Sequence, residues 1–470
     1  MARMGGKVRT LRRRESLSQA RFAERLGIST SYLNLIENDR RPLSAQVLIK
    51  LARVFDVDLE EFSQDAEDGL QRDLLEAFGD PLFEERSIAS SDLKELASRS
   101  PELARACVGL YRAWREAEEA SATLAAQLSD GQDLGPRGRL PSEEVTEFIQ
   151  SKLNHFEALE RAAEGLWAEA RIPDEGLERG LVQFLARKGV RVRVCTTAEM
   201  AGAVRRFDRE RGELRLAETL APRSRNFQLA VQTALIAYNG AIEEELEGSR
   251  QLLSEESRVL ARVSLANCFA GAVLMPYGPF LAAAEAERYD IELLGHRFRT
   301  SFEQVCHRLT SLRRRDRAGV PFHFIRVDLA GNISKRFSAS GIPFARFGSA
   351  CSKWNVFHAF MTPGRIRRQL SRMPDGKVYF CIARTLRKGA GGFHAPHPVQ
   401  AIGLGCEVQH AKELVYSDGV DLDSARVLVD IGTSCRLCPR KDCAERAFPS
   451  LERPLRIDED VRGASFFSPS

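Results

Sequence analysis

Long apolar runs are missing from this chain of 470 residues. No stretch approaches the ~20 apolar residues that a membrane span requires. The N-terminus runs Met-Ala-Arg-Met-Gly-Gly-Lys into a charged segment, without the apolar stretch of a secretory leader. These absences predict a cytoplasmic protein with no membrane partner. Cysteine is also thin, ten residues over the whole length, too scattered for the disulfide framework of a secreted domain. Charge of one sign is not in excess overall: 69 Lys and Arg against 65 Asp and Glu leave a formal +4. The remaining composition, 43% apolar and 29% charged, is that of an ordinary globular protein of several domains.

What charge imbalance exists is local. Residues 1–41 hold ten Lys and Arg against four Asp and Glu, so this end is where a polyanion would dock. The spacing there predicts helices over 7–14, 19–26, 30–37, 44–55 and 59–62. Ser18 and Ser29 stand at N-cap positions and Gly27 at a C′ position. Leu11, Phe22, Ala23, Leu26, Ile28, Leu33, Ile36, Leu48 and Leu51 form the expected mini-core. Two helices joined by a tight Gly-containing turn describe a helix-turn-helix. Gln19, Ser29, Thr30, Ser31, Tyr32 and Asn34 are then left for base edges, and Arg13, Arg14, Arg40 and Arg41 for phosphates.

This segment, Leu-Ser-Gln-Ala-Arg-Phe-Ala-Glu-Arg-Leu-Gly-Ile-Ser followed by Leu-Asn-Leu-Ile-Glu-Asn-Asp-Arg-Arg-Pro, resembles the lambda-repressor-like DNA-binding family. The resemblance implies double-stranded operator DNA as a partner.

Residues 66–141 read as a helical linker. Leu103, Cys107, Leu110, Tyr111, Trp114, Ala117 and Leu124 share one face of a predicted helix over 101–127. That stripe suits either a dimer seam or packing within the chain. A Gly- and Pro-containing stretch, 129–141, marks a boundary.

From residue 142 the pattern becomes α+β. Its element order resembles a zincin-like metallopeptidase domain, whose active helix carries His-Glu-x-x-His because i and i+4 histidines share a face and hold zinc. Aligning the Phe227-x-Leu-Ala lead-in places Val231, Gln232, Thr233, Ala234 and Leu235 in those slots. Both histidines and the carboxylate are missing, which excludes zinc-dependent peptidase chemistry at this helix. The cleft of such a fold stays available for ligand binding.

Residues 318–450 carry aromatic and glycine-rich motifs. Arg-Val-Asp, Lys-Arg-Phe-Ser-Ala, Ala-Arg-Phe-Gly and a terminal cysteine run together resemble the short-chain fatty acyl-CoA regulator family, from residue 6 to about 452. The resemblance implies a transcription factor sensing propionyl-CoA or a related acyl-CoA and controlling genes of short-chain acyl metabolism. Such a ligand needs cations for its phosphates and an apolar slot for its tail. Arg326, Lys335, Arg336 and Arg346 beside Phe337, Phe344, Phe347 and Trp354 are the candidates.

Cys435, Cys438 and Cys443 lie within nine residues, Ser-Cys-Arg-Leu-Cys-Pro-Arg-Lys-Asp-Cys. Thiols at this spacing suit zinc, an iron–sulfur cluster, or reversible oxidation. The family resemblance implies a [4Fe–4S] cluster. Its fourth ligand is expected at Cys351, with Cys406 second; His394 or His410 would suit zinc better. Cys107, Cys195, Cys268, Cys306 and Cys381 read as core residues.

The expected architecture is therefore multidomain: an all-α helix-turn-helix head (1–65), a helical linker (66–141), a zincin-like α+β domain without zinc ligands (142–315), and an α+β sensor domain (316–470). The function expected is a DNA-binding transcription regulator, dimeric or higher, responding to acyl-CoA. An iron–sulfur redox sensor would share this architecture; a peptidase would need ligands the chain lacks.

Overall fold

The computed structural model describes residues 5–15, 17–38, 40–55, 64–83, 88–130, 141–170, 176–344, 350–389, 394–450 and 465. The chain divides into two units, Met1–Arg137 with Ser434–Ser470, and Gly138–Thr433. The segment expected as one sensor domain is thus split, and its cysteine turn belongs with the DNA-binding head and helical linker.

The first unit opens with α1 (Gly5–Arg14), α2 (Gln19–Leu26), α3 (Thr30–Glu37) and α4 (Ala45–Phe55). Ser18 caps α2 by accepting from the Arg21 N–H, Gly27 ends it at φ +63°, and Ser29 caps α3 by accepting from the Tyr32 N–H. The expected short helix at 59–62 lies outside the described residues. Val8, Leu11, Phe22, Leu26, Leu33, Ile36 and Leu51 close the core, with Phe22 stacked on Phe55 at 4.6 Å.

Next come α5 (Gln64–Phe78), α6 (Ser90–Arg99) and the long α7 (Pro101–Asp130). The packed face of α7 is Ala104, Val108 and Tyr111, against Leu74, Leu93 and Ala97. Tyr111 donates to Asp80 at 2.9 Å and Arg112 pairs with Asp73 at 2.8 Å, which orients the helix. The expected apolar stripe is therefore divided. Tyr111 turns inward, whereas Leu103 and Leu110 stay 56% and 74% exposed. The Leu124 side chain lies outside those described.

The second unit begins with α8 (Pro141–Ser151), α9 (Glu157–Ala170) and α10 (Leu177–Arg187). A small sheet follows from β1 (Arg191–Cys195), α11 (Thr197–Met200), β2 (Arg205–Asp208) and β3 (Glu213–Ala217). Its strand order is β1-β3-β2, with β1 parallel and β2 antiparallel to β3. Helices α12 (Pro222–Ala237), α13 (Asn239–Leu246), α14 (Glu255–Leu274), α15 (Tyr277–Ala286), α16 (Ile291–Arg297) and α17 (Phe302–Thr310) complete the helical part. By length and composition α14 could cross a bilayer, contrary to the expectation that no stretch comes near, but half of its apolar window is buried in the protein.

The last part is a six-stranded sheet. It is built from β4 (His323–Asp328), β5 (Ile333–Ser338), a short helix α18 (Asn355–His358), β6 (Arg367–Arg372), β7 (Val378–Arg387), β8 (Val399–Glu407) and β9 (Leu428–Asp430). The strand order is β5-β4-β8-β7-β6-β9, antiparallel except for β6 with β9. Both faces of the sheet are covered. Phe324, Phe380, Ile382, Ile402 and Leu404 pack into the core that also holds Leu265, Phe269, Val305 and Leu309 of the helices. Ile325, Val327, Tyr379, Cys381 and Ala401 face a second core with Trp354 and Val356. Strict alternation between two apolar layers explains the near-continuous apolar runs of β7 and β8. One core thus crosses residue 315/316, where a domain border was expected.

Glycine in β8 follows from close packing. A Cβ at Gly405 would meet the His323 ring at 2.6 Å, and one at Gly403 would meet Ile325 at 2.7 Å. A buried ion pair ties α9 to α17: Arg308, 3% exposed, donates to Glu160 Oε2 at 2.8 Å and to the Met275 carbonyl at 2.9 Å.

Candidate functional site

The DNA-reading face is built by the caps and by one buried acid. Glu37 closes α3 and is 2% exposed. Its carboxylate accepts from Arg12 Nε at 2.6 Å, Arg12 Nη2 at 3.1 Å and Gln19 Nε2 at 2.7 Å. Arg9 adds a bond to the Glu37 carbonyl at 2.9 Å. Burial alone would raise this carboxyl, but the Arg12 and Gln19 bonds and the arginine charges outweigh it and hold its pKa below the usual range. Arg12 is raised in turn, chiefly by its bond to Glu37. This lock between α1, α2 and α3 was not foreseen, although basic residues one helical turn apart in α1 and an acid closing an otherwise uncharged α3 were its signal.

With the lock in place, Thr30, Ser31 and Asn34 are exposed along the start of α3. Ser29 uses its hydroxyl for the cap. Gln19 is shared between Glu37 and Asn34, whose amide reaches it at 3.5 Å, so it braces the recognition helix as well as standing beside it. Arg40 and Arg41 are exposed where the chain leaves α3, and Arg41 lies over the Tyr32 ring at 5.3 Å. In helix-turn-helix proteins generally, side chains at such positions reach base edges and phosphates. Arg13 and Arg14 fall in α1, and their side chains lie outside those described.

In the zincin-like region, the slots aligned with a metal motif are interior packing. Val231 and Ala234 are core residues, and the Thr233 hydroxyl donates to the Leu229 carbonyl at 2.9 Å.

Several acyl-CoA candidates among the described residues are engaged within the protein. Arg326 is committed to Glu303 at 2.9 Å and to Ser334 at 2.9 Å. Burial pushes the Lys335 ammonium below the usual lysine pKa. Phe337 is buried. Trp354 is a core residue whose indole N–H donates to the Gly432 carbonyl at 3.2 Å, with Phe344 against its ring at 5.5 Å. Arg336 lies on β5, the edge strand of the sheet. Arg346 and Phe347 lie outside the described residues.

The cysteine turn is organised around Arg446, 6% exposed. Its guanidinium donates to the carbonyls of Cys435 at 2.7 Å, Cys438 at 2.9 Å and Arg440 at 2.5 Å. The Ala447 N–H points at Cys435 Sγ at 3.5 Å. Arg436 donates to the Gly79 carbonyl at 3.2 Å, anchoring the turn to the end of α5. Soft donors, an N–H aimed at sulfur and a buried cation suit a thiolate-bound metal. Among the described residues, however, no three Cys, His, Asp or Glu side chains converge into a ready ligand set. Cys351 lies in the other unit, 8% exposed, its N–H donating to the Thr433 carbonyl at 3.3 Å, two residues ahead of Cys435. Cys406 is fully buried on β8, and desolvation drives its pKa well up, which disfavours the thiolate that a metal needs.

Three family descriptions match successive parts of the chain. They are a helix-turn-helix over residues 8–62, an IrrE N-terminal-like domain of the M78 peptidase type over 185–310, and the short-chain fatty acyl coenzyme A regulator C-terminal region over 311–467. The chain is 44% identical to a propionyl-CoA carboxylase regulator of Cereibacter sphaeroides, covering 98% of this chain and 97% of that protein. It is 40% identical to the HTH-type transcriptional regulator PrpR of Mycobacterium tuberculosis, covering 97% and 94%. A solved Mycobacterium tuberculosis transcriptional regulator superposes with a TM-score of 0.67 at 43% identity, covering 70% of this chain and all of that one. With a helix-turn-helix head whose reading face is built and exposed, and relatives aligned end to end, the chain belongs to the short-chain fatty acyl-CoA regulator family of DNA-binding transcription regulators.

Proposed function

We propose that this regulator acts in the cytoplasm, binds operator DNA through α2 and α3 as a homodimer or higher oligomer, and takes a short-chain acyl-CoA, with propionyl-CoA favoured, as its effector. Its targets are genes of short-chain acyl and propionate metabolism. The observation that carries this reading is the end-to-end likeness to a protein named for regulating propionyl-CoA carboxylase. Each chain carries one matched helix-turn-helix, and two such heads on adjacent half-sites are the usual way to read an operator. The exposed Leu103 and Leu110 on α7 offer an apolar seam for that pairing. Effector binding would act by its different affinity for the two arrangements of paired heads. The reading excludes peptidase activity, since Val231 and Leu235 occupy the slots of zinc-binding histidines.

The same proposal gives Cys435, Cys438 and Cys443, with Cys351 as fourth ligand, to a [4Fe–4S] cluster, with zinc as the alternative. A bound cluster would cross-link the turn and supply a one-electron couple. Arg446 holds the carbonyls of Cys435, Cys438 and Arg440, which would fix the loop around a bound group. A second reading, redox sensing, is favoured by one observation: the Arg436–Gly79 bond joins the cysteine turn to the helical segment that follows the DNA-binding head.

An operator mobility shift with propionyl-CoA, acetyl-CoA and free CoA tests the first reading, using protein purified anaerobically with its iron and zinc measured. A colourless protein whose operator affinity ignores all three ligands would sink it. Cys438→Ser separates the second: operator binding that responds to oxidation equally in the variant removes redox sensing by this turn.

A further inference from the structure

Between α17 and the six-stranded sheet lies a cluster whose charges do not balance. Glu303, in the first turn of α17, accepts from Arg326 of β4 at 2.9 Å and from Lys388 just beyond β7. Burial alone would raise this carboxyl, but the charges and bonds of Lys388 and Arg326 outweigh it and hold its pKa below the usual range. A third cation, Lys335 of β5, stands across the β4–β5 ladder from Arg326. Its ammonium makes no hydrogen bond or ion pair among the described residues. Three cations thus share one carboxylate.

The neighbours of Lys335 do not supply the missing anion. Burial pushes the Cys268 thiol of α14 up to about 11, so it stays protonated. His307, one turn after Glu303 on α17, is held well below its usual pKa by burial first and then by the charges of Lys335, Arg308 and Arg326. Its neutral ring lies edge-on to Phe324 at 6.0 Å and has no hydrogen bond among the described residues. Arg308 is already paired with Glu160. Arg326 uses Nε on Ser334 and Nη1 on Glu303, which leaves Nη2 for an acceptor. An ammonium desolvated without a counter-charge favours its neutral amine, and burial lowers the Lys335 pKa accordingly. The side chain is only partly buried, so a small molecule reaches it.

We propose that Lys335 is a carbamylation site, its amine adding carbon dioxide to give a carbamate held between Arg326 and His307. The nitrogen lone pair forms the N–C bond, one C=O π pair of carbon dioxide becomes the carboxylate charge, and the amine proton leaves to water. The step needs no oxidant, reductant or further substrate. It replaces a cation by an anion, so three cations against one acid become two against two. Arg326 Nη2 and the His307 N–H then have a charged acceptor. Carbon dioxide is small and uncharged, as entry to a partly buried amine requires. The carbamate joins β5 to β4 and α17 through one anion, and the site stands apart from the acyl-CoA effector proposed above.

Full-length protein carrying 15N-lysine is equilibrated with 13C-bicarbonate at mildly alkaline pH and followed by 13C NMR. A carbamate carbon split by a lysine nitrogen is expected. Alkylation with triethyloxonium and peptide mass spectrometry should then place the trapped carbamate at Lys335, a result on the wild-type protein that needs no variant. Lys335→Gln should abolish both signals, and Lys412→Gln, at an exposed position, should leave them. Arg326→Gln removes one of the two groups holding the carbamate and should raise the carbon dioxide needed for half-modification by roughly tenfold. Melting curves verify that each variant folds. Absence of the split signal would overturn the site, as would a label trapped on other amines and not on Lys335. A bound 13C signal without nitrogen coupling would overturn the covalent step in favour of bicarbonate held as an ordinary anion. Half-modification in Arg326→Gln within twofold of wild type would overturn the cluster as its cause.

Discussion

Glutamine at position 37 would keep the shape of the glutamate and remove its charge. In the folded head this carboxylate serves three short hydrogen bonds, two from Arg12 and one from Gln19. An amide can accept at only one atom, and its NH2 group must face a donor. Charge-assisted bonds contribute about 1.5–3 kcal/mol each, and breaking one side of a buried pair costs about 3–5 kcal/mol. Arg12 is 15% exposed and keeps a bond to the Leu17 carbonyl at 3.0 Å, so water relieves part of the loss. About 2 kcal/mol is the resulting expectation for opening the head. At 1.36 kcal/mol per tenfold, that is roughly a thirtyfold loss of amide protection. Hydrogen exchange on the full chain, followed in peptides covering 19–37, reads it directly, and operator affinity should fall in parallel. Arg12→Met should cost a similar amount, and the double variant less than the sum. Protection in Glu37→Gln within twofold of wild type would refute the lock. The carboxyl's folded pKa is depressed, so the contribution is fully present above the ordinary carboxylate range. It is lost as pH falls through the lower, folded value.

Arg40→Ala should weaken operator and non-specific DNA alike and lower the slope of log affinity against log salt by about 0.9; an unchanged slope removes Arg40 from the phosphate contacts. Arg308→Met strands Glu160, 4% exposed, and should cost about 3–5 kcal/mol, lowering the melting temperature of the second unit by roughly 10 °C. A melt within 2 °C of wild type would contradict it. His323, buried against Ser340 and Cys381, has its pKa pushed down to about 3 by burial. The unfolded chain therefore binds its proton first, and stability should decline below about pH 6.5 by at most about 1.4 kcal/mol per unit. Urea midpoints from pH 7 to 5 should fall less steeply in His323→Gln, and parallel curves would show that this histidine does not matter.

The DNA-binding head was legible because its information is local. Ser18, Gly27 and Ser29 cap or end helices through bonds to residues a few positions away, and the apolar set repeats at helical spacing. The absence of metal ligands around Val231 was equally plain, since a motif within one helix needs no tertiary structure to be seen missing. The candidates in the sheet were harder. Arg326, Phe337 and Trp354 have the right chemistry for a CoA ligand, but an ion pair with Glu303 and two packed layers claim Arg326, Phe337 and Trp354. Which face of β4 and β5 meets another layer depends on partners from 265 to 404, and no short window of sequence contains them.

Sequence alone determined the kind of protein: a basic helix-turn-helix, a peptidase-like region with other residues in the slots of a zinc motif, and a terminal cysteine run are legible from local patterns. Tertiary structure decided the rest. It merged two expected domains around one core and joined the cysteine turn to the helices near the DNA-binding head. It also brought Cys268, Glu303, Lys335 and Lys388, 120 positions apart from first to last, to one cluster. The physical reason is range. Caps and helical periodicity act over a few residues, whereas burial of apolar faces and pairing of charges act between whatever segments the chain folds together.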